Sequence, residues 1–287
     1  AMSGGVDSSV AAQLLTEAGC AAAGCTLRLY HNEDAGIPAS RTCCSLEDVE
    51  DARSAAFRLH MRHYVFDFSG EFREKVMDKF ARCYCAGLTP NPCIDCTRYL
   101  KFDRLLRRAE ELGYDYIATG HYAQIDCLHG EYRLKKAADP AKDQSYVLYR
   151  LTQAQLARTL FPLGGLRKAE TRQLAARAGL GNAEKPDSQD ICFVPDGDYA
   201  AAGARLTGET SRPGPLVDTA GRVLGQHRGI VHYTIGQRRG LGDHLPGKMH
   251  VCRIPPADNA VVLGDGAALC RPETEAADFH RISGRPP

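Results

Sequence analysis

Ser3-Gly4-Gly5-Val6-Asp7-Ser8-Ser9 stands at the head of the chain, directly before apolar residues at helical spacing, Val10, Leu14, Leu15 and Ala18. The spacing predicts a helix from Ser8 to Ala18 with Gly19 as its stop signal. A glycine-rich loop that opens a helix suits an anion. The first backbone N–H groups of a helix lack intrahelical acceptors, and the helix dipole adds partial positive charge at the same end. Gly4 and Gly5 let the backbone approach closely, and Ser3, Ser8 and Ser9 offer hydroxyl donors. Asp7 suits Mg²⁺ or the positioning of an attacking group. No Lys follows the glycines, so this is not a G-x-x-x-x-G-K-[ST] loop. Taken alone, the stretch is also an ordinary Ser/Asp-rich helix cap after a glycine turn.

The loop resembles the PP-loop, S-G-G-x-D-S, of ATP pyrophosphatases, which implies a grip on the pyrophosphate of ATP while its α-phosphorus is attacked. Downstream, Ala22 to Tyr30 reads as a strand and Leu46 to Leu59 as a helix, with Ser45 and Asp48 in S-x-x-D capping spacing. His63 to Phe68 reads as a second strand, followed by a helix from Glu71 to Cys85. Beyond Thr89-Pro90-Asn91-Pro92, a further helix sets Phe102, Leu105, Leu106, Ala109 and Leu112 on one face. Tyr116 to Thr119 is a short strand that ends in Gly120-His121-Tyr122. Strands alternating with helices predict a parallel sheet, whose ligands bind at the carboxyl ends of the strands.

After Arg150 the pattern changes. Helical segments at Gln153 to Leu160 and Lys168 to Ala178 flank Phe161-Pro162-Leu163-Gly164-Gly165 with no strand between, which reads as a small module. From Pro213 the chain is β-like. The expected division is 1–150 for an ATP-binding catalytic domain, 151–212 for a small central domain and 213–287 for a β-rich domain.

With 287 residues the chain has room for a sizeable core and about two domains, three at most. Its net charge of +1 neither demands nor excludes nucleic acid, so RNA contact would have to come from a local basic patch. No apolar run reaches the roughly 18 residues of a membrane span, and no signal peptide is recognisable, so the chain reads as cytoplasmic with no membrane partner. Twelve cysteines in such a protein point to reactive thiols or metal ligands before disulfides.

Cys93 and Cys96 stand in C-x-x-C spacing on a proline-stiffened loop just before a helix, where a thiolate is favoured as nucleophile or metal ligand. Half of a zinc site and a redox pair remain open readings; a second C-x-x-C is absent, since Cys83/Cys85 and Cys43/Cys44 have the wrong spacing. Cys192, in Asp187-Ser188-Gln189-Asp190-Ile191-Cys192-Phe193, reads by itself as a small buried hydrophobe.

Six stretches in order carry a wider resemblance. They are Ser3 to Ser9, Asn91 to Cys96, Thr119 to Ala123, Lys142 to Tyr146, Ser188 to Phe193 and Tyr233-Thr234-Ile235-Gly236-Gln237-Arg238. Together the chain resembles the bacterial tRNA-specific 2-thiouridylases over nearly its whole length. The resemblance implies a PP-loop parallel-sheet α/β domain, a small central domain and a C-terminal β-barrel. That barrel is expected to be incomplete, because the chain stops before an R-Y-R-Q-like segment; likewise no apolar strand precedes the glycine loop. It implies ATP-dependent conversion of the wobble uridine of tRNA to 2-thiouridine, with Mg²⁺ and a sulfur-donor protein as partner. Carried over by position, Ala1, Met2, Ser3, Gly4, Gly5, Val6, Asp7, Ser8, Leu27 and Gly120 would contact ATP. Cys96 resembles the catalytic nucleophile and Cys192 the cysteine that carries persulfide sulfur, the two closing to a disulfide in turnover. Asn91, Pro92 and Cys93 resemble the segment that touches the target base, and His121, Lys142, Asp143 and Gln144 resemble tRNA-contacting positions. His121 also has a plain reading as a partner of backbone groups, and Lys142 as a solvated charge. Arg228, Arg238 and Arg239 join Lys142 as expected tRNA-facing cations.

Cys93 stands where many members of that family carry Asp. Three thiolates, Cys93, Cys96 and Cys192, are the ligand count of a [4Fe–4S] cluster with one open iron, a reading that competes with the disulfide. The rival activities are another PP-loop pyrophosphatase, an amidating synthetase in which ammonia attacks the adenylated carbonyl, and a zinc-stabilised RNA-binding module.

Overall fold

The computed structural model describes residues 1–36, 46–186, 191–194, 196–208, 210–242, 245, 247–270, 273 and 275–283. The Ser45 cap, Cys43/Cys44 and Asp187 to Asp190 lie outside them. By internal contacts the chain forms two compact units. One comprises Ala1–Lys75, Cys93–Phe193 and Phe279–Pro287, the other Val76–Pro92 and Val194–Asp278.

In the first unit the opening helix is Val6–Glu17, starting earlier than the apolar spacing predicts. Gly5 serves as its N-cap in an extended conformation (φ −87°, ψ 162°), which lets Val6 and Asp7 join the first turn. The strand Ala23–Arg28 pairs in parallel with Arg62–Asp67, Leu27 opposite Phe66. Ile117–Ala118 pairs in parallel with Thr159–Leu160. Between these pairs lie the first two residues: the Ala1 amino group donates to the Ala118 carbonyl at 2.7 Å, and Met2 N–H to the Cys25 carbonyl at 2.7 Å. Parallel strands with interleaved helices are therefore observed, and the glycine loop leaves the sheet beside the end of Ile117–Ala118.

Thr159–Leu160 is a strand where the spacing predicts the end of a helix. The helix stops at Leu156, after a Thr152/Gln155 capping box at its start. The next residues are drawn into the sheet, Ile117 N–H donating to the Arg158 carbonyl (2.9 Å) and Thr119 N–H to that of Leu160 (3.2 Å). Small side chains let the helices approach the loop: Ala11, Ala52, Ala56 and Ala175 share a core with Met2, Val6, Val10, Tyr122 and Leu163. Burying a side chain such as Val10 or Leu163, both 0% exposed, contributes about 1.5–3 kcal/mol.

The cysteine loop feeds a continuous helix, α-helical over Pro92–Asp95, π-helical over Cys96–Arg104 and α-helical again over Leu105–Glu111. Phe102, Leu105, Leu106 and Ala109 are buried as the spacing predicts. Leu112 is 40% exposed, because the helix ends at that residue. A nine-residue π stretch is unusual, and π turns cluster at functional sites. It begins at Cys96.

The second unit packs the helices Asp78–Cys85 and Tyr199–Thr207 through Phe80, Tyr84 and Tyr199, with ring centroids 4.8 to 6.3 Å apart. Its sheet has four strands in the order Val223–His227, Gly214–Asp218, Val261–Gly264, His250–Arg253, with a parallel central pair. Leu216, Val251, Val261 and Leu263 fill one face with Ile230 and Tyr233. The expected β-rich part is present, and among the described residues the sheet is open and not a closed barrel.

Candidate active site

The glycine loop is held from behind by its own serines. Ser8 and Ser9 are buried, and both hydroxyls donate to the Gly5 carbonyl, at 3.0 and 3.1 Å. Ser8 Oγ also accepts Ser3 N–H (3.1 Å), while Asn182 Nδ2 donates to the Gly4 carbonyl and to Ser9 Oγ, both at 2.9 Å. This corrects the expectation of three hydroxyl donors for an anion: Ser8 and Ser9 are spent on loop shape, and Ser3 is the exposed one.

The two glycines differ in kind. Gly4 has φ +75°, and a Cβ there would lie 2.5 Å from the Asp48 carbonyl oxygen, a backbone atom of the Leu46–Arg58 helix. A Cβ on Gly5 would meet nothing nearer than Ser3 Oγ at 3.6 Å. Gly4→Ala is therefore expected to destabilise the protein by at least about 1–3 kcal/mol in denaturant unfolding. Gly5→Ala is expected to unfold like wild type, because the added methyl group has room, and to weaken ATP binding by adding bulk to the loop expected to hold the phosphates. Equal stability of the two variants would contradict this division.

Asp7 is the centre of a network that the spacing of residues did not reveal. Lys168 Nζ sits 2.7 Å from Asp7 Oδ1 and 2.8 Å from Oδ2, and the Tyr122 hydroxyl donates to Oδ1 at 2.8 Å. The Lys168 side chain is 12% exposed and that of Asp7 31%. Tyr122 is buried, lies 3.0 Å from the Thr171 hydroxyl, and has the Lys168 ammonium 5.8 Å from its ring centroid. Gln144 fixes it by two bonds, Tyr122 N–H to Gln144 Oε1 (2.9 Å) and Gln144 N–H to the Tyr122 carbonyl (2.8 Å).

Asp143 shapes the same turn by accepting Ala137 N–H (2.9 Å) and the Ser145 hydroxyl (2.8 Å). Burial pushes its pKa up, but these bonds outweigh burial and hold it below the usual carboxylate value. Asp139, at the start of the turn, accepts the backbone N–H of Lys168 at 3.0 Å. The Lys142–Gln144 stretch is thereby tied to Asp7 through both Tyr122 and Lys168. Gly120 closes the other side, where a Cβ would lie 2.8 Å from Asp7 C and Ser8 N.

His121 is placed inside the fold. Thr119 Oγ1 lies 2.7 Å from its Nδ1, Lys101 Nζ 3.5 Å from its Nε2, and the rings of Phe102 and Phe161 flank it at 6.0 Å. Burial first, then the positive charges of Lys101 and the amino terminus, hold its pKa well below 6.5. It is a neutral internal support at the end of the strand, in keeping with its plain reading as an internal partner.

Cys96 is 8% exposed, and burial pushes its thiol up to about 11. The expectation that the helix terminus favours its thiolate is therefore corrected: the dipole acts within the first turn, and burial dominates further in. Cys93 is exposed, whereas Asn91 and Pro92 belong to the second unit. Cys192 is anchored by its carbonyl, which accepts the Tyr30 hydroxyl at 2.5 Å, and by Phe193, whose ring meets Phe72 at 5.7 Å. Cys96 and Cys192 are both thiols, and among the described residues no three His, Cys, Asp or Glu side chains are grouped to hold a metal ion. The set Cys93, Cys96 and Cys192 thus does not fit a cluster in this arrangement, and no zinc site is assembled among the described residues. In alkylation at neutral pH followed by mass spectrometry, Cys93 is expected to react well before Cys96. The Cys96 rate should rise about tenfold per pH unit towards its raised pKa, and fast neutral-pH labelling of Cys96 would contradict its burial.

A cavity of about 430 Å³ on the sheet is lined by Ala1, Met2 and Ser8, three of the expected ATP contacts, with Ala11, Leu15, Phe66 and Leu105, and by none of Asp7, Cys96, His121 or Lys168.

Two family models match the chain, the tRNA methyl transferase HUP domain over residues 1–196 and the tRNA methyl transferase PRC-barrel domain over 207–265. The tRNA-specific 2-thiouridylase MnmA of Lachnoclostridium phytofermentans is 52% identical over 265 residues, 92% of this chain and 74% of the relative. That of Clostridium kluyveri is 47% identical over 279 residues, 97% and 78% of the two chains, and that of Chloroflexus aurantiacus 48% over 288 residues, 100% and 80%. The chain belongs to the tRNA-specific 2-thiouridylase family. In this family member the HUP match spans the glycine loop, the Asp7 network, Cys96 and Cys192. No helix of the described residues is long and apolar enough to cross a membrane.

Proposed function

We propose that the protein converts the wobble uridine of tRNA to 2-thiouridine, consuming ATP. The observation that carries this reading is an anion loop backed by Asp7, with two cysteines in the same compact unit. The relatives are named for tRNA-specific 2-thiouridylation. Methyl transfer, the term in the family description, calls for neither a pyrophosphate grip nor a thiol pair, so the residues favour thiolation.

The C2 oxygen of uracil is a poor leaving group. Its attack on the α-phosphorus of ATP expels pyrophosphate and turns that oxygen into part of AMP, which leaves readily. Backbone N–H groups at the start of Val6–Glu17 stabilise the developing charge on pyrophosphate. Asp7 is the carboxylate that would hold Mg²⁺ once parted from Lys168, and the ion would supply electrostatic stabilisation to the phosphates.

The terminal sulfur of a persulfide on Cys192, loaded by a sulfur-donor protein, attacks C2, and AMP departs with the C–O bonding pair. The Cys96 thiolate then attacks Cys192 Sγ. The S–S bond breaks towards the sulfur on C2, giving 2-thiouridine and a Cys96–Cys192 disulfide. An external thiol reductant returns two electrons to both cysteines. The raised pKa of Cys96 means that it must lose a proton on the way, and Lys101 is the cation that favours the thiolate.

RNA contact is supported by exposed groups in the first unit. Tyr146 and Tyr149 are exposed beside Lys142, and the Arg150 guanidinium lies 5.6 Å from the Tyr149 ring centroid, a stacking and charge surface of the kind single-stranded bases use. In the second unit Arg228, Arg238 and Arg239 supply charge.

An iron–sulfur route would need Cys93, whereas the persulfide route needs only Cys96 and Cys192. An iron-free Cys93→Ala protein given a persulfide donor, ATP and tRNA is expected to thiolate within about threefold of wild type, the scale of an exposed substitution. Loss of thiolation in that variant, with iron bound by the anaerobic wild type and not by Cys93→Ala, would overturn the persulfide route.

A further inference from the structure

We infer that Lys168 is a pyrophosphate-binding residue that waits on Asp7 as its exchangeable counter-ion when nucleotide is absent. The inference rests on the ATP reading above and adds a group to it. Both Asp7 oxygens are within hydrogen-bond distance of the Lys168 ammonium, at 2.7 and 2.8 Å, and Oδ1 also accepts from Tyr122. Asp7 in this state has little lone-pair capacity left for a cation such as Mg²⁺. For Asp7 to hold a divalent ion, the Lys168 ammonium would have to leave it.

The displaced ammonium has a short path to the anion. Lys168 is the first residue of the helix Lys168–Arg177, where a cation opposes the helix dipole, so local helix preference does not account for it. Its backbone is fixed by the bond from Lys168 N–H to Asp139. With its backbone held there, the ammonium head lies against Asp7, in the first turn of Val6–Glu17, the helix start that the ATP reading gives to the phosphates. Charge balance would favour the exchange: with a divalent ion held by Asp7, the Lys168 ammonium would be freed to meet an anion of higher charge.

The Asp7–Lys168 pair could instead serve only to neutralise Asp7 inside the fold. A double-mutant cycle separates the roles. ATP and AMP affinities are measured by calorimetry with Mg²⁺ for wild type, Lys168→Met, Lys168→Arg, Asp7→Asn and Asp7→Asn/Lys168→Met. Lys168→Met is expected to lower ATP affinity by about 10- to 100-fold, the range of a hydrogen bond to a charged group. AMP, which lacks the pyrophosphate, should bind within about twofold of wild type, and Lys168→Arg should recover most of the loss.

In the Asp7→Asn background no carboxylate needs neutralising, so a further loss of ATP affinity on removing Lys168 supports phosphate contact. If Lys168→Met folds poorly alone, the neutral double variant, which leaves neither charge unpaired, carries the comparison. Unchanged ATP affinity on removing Lys168, or equal losses for ATP and AMP, would overturn the inference. A wild-type protein that binds neither nucleotide would instead overturn the ATP reading on which it rests.

Discussion

Asp7→Asn is expected to lower tRNA-dependent pyrophosphate release by at least about 10²-fold, the scale of removing one preorganised electrostatic group. Asparagine keeps the shape of the side chain and one acceptor for Tyr122, but it loses the charge that pairs with Lys168 at 2.7 Å. The residue lies in the first turn of Val6–Glu17 and is 31% exposed, so the change spares the core. The unpaired, largely buried Lys168 is expected to cost about 1–3 kcal/mol, within the 5–15 kcal/mol margin of an ordinary domain. Folding should therefore survive while chemistry is lost. Pyrophosphate release at the wild-type rate in a folded Asp7→Asn protein would remove Asp7 from the mechanism.

The second large effect separates activation from sulfur transfer. Cys96→Ser and Cys192→Ser should each abolish thiolation while leaving tRNA-dependent pyrophosphate release within about threefold of wild type, because neither cysteine touches the glycine loop's bonding network. The two failures should differ. Cys192→Ser should carry no persulfide after incubation with a donor. Cys96→Ser should load sulfur and stall, leaving tRNA attached to Cys192 through a disulfide that an added thiol cleaves. Gel electrophoresis with and without reductant reads the difference. Thiolation that survives both substitutions would remove the cysteines from sulfur transfer, whereas an ATP-dependent exchange of oxygen for nitrogen that survives them would favour attack by ammonia, as in an amidating synthetase.

The parts legible in the sequence are those where one local signal decides. The glycine loop with its helix, the parallel strands and the face of Phe102, Leu105, Leu106 and Ala109 all follow from spacing. The hairpin of Gln124–Leu128 with Glu131–Lys135 was not legible, because its two-residue turn puts His129 (φ 52°) where Asn or Asp usually marks a positive-φ turn. Thr159–Leu160 was read as helix, since two residues carry no period and the edge of Ile117–Ala118 makes them a strand.

The site shows the same divide. Asp7 and the cysteines stand out by motif, but Lys168 is 161 residues from Asp7 in sequence and only the fold brings them together. Its one sequence signal was a lysine at the first position of a helix after Gly164-Gly165. The state of Cys96 was misread for a related reason: position near a helix start is written in the sequence, whereas burial, which pushes its thiol up to about 11, comes from packing.

The most direct test of thiolation is the nucleoside composition of tRNA after reaction. Purified protein is incubated with unmodified tRNA transcript, ATP, Mg²⁺, a persulfide donor and a thiol reductant, and the digested tRNA is examined by mass spectrometry alongside AMP formation. The account predicts one uridine per reactive tRNA with oxygen exchanged for sulfur, and one AMP for each. ATP consumption with unmodified uridine, or a methylated nucleoside formed when a methyl donor is added, would contradict it.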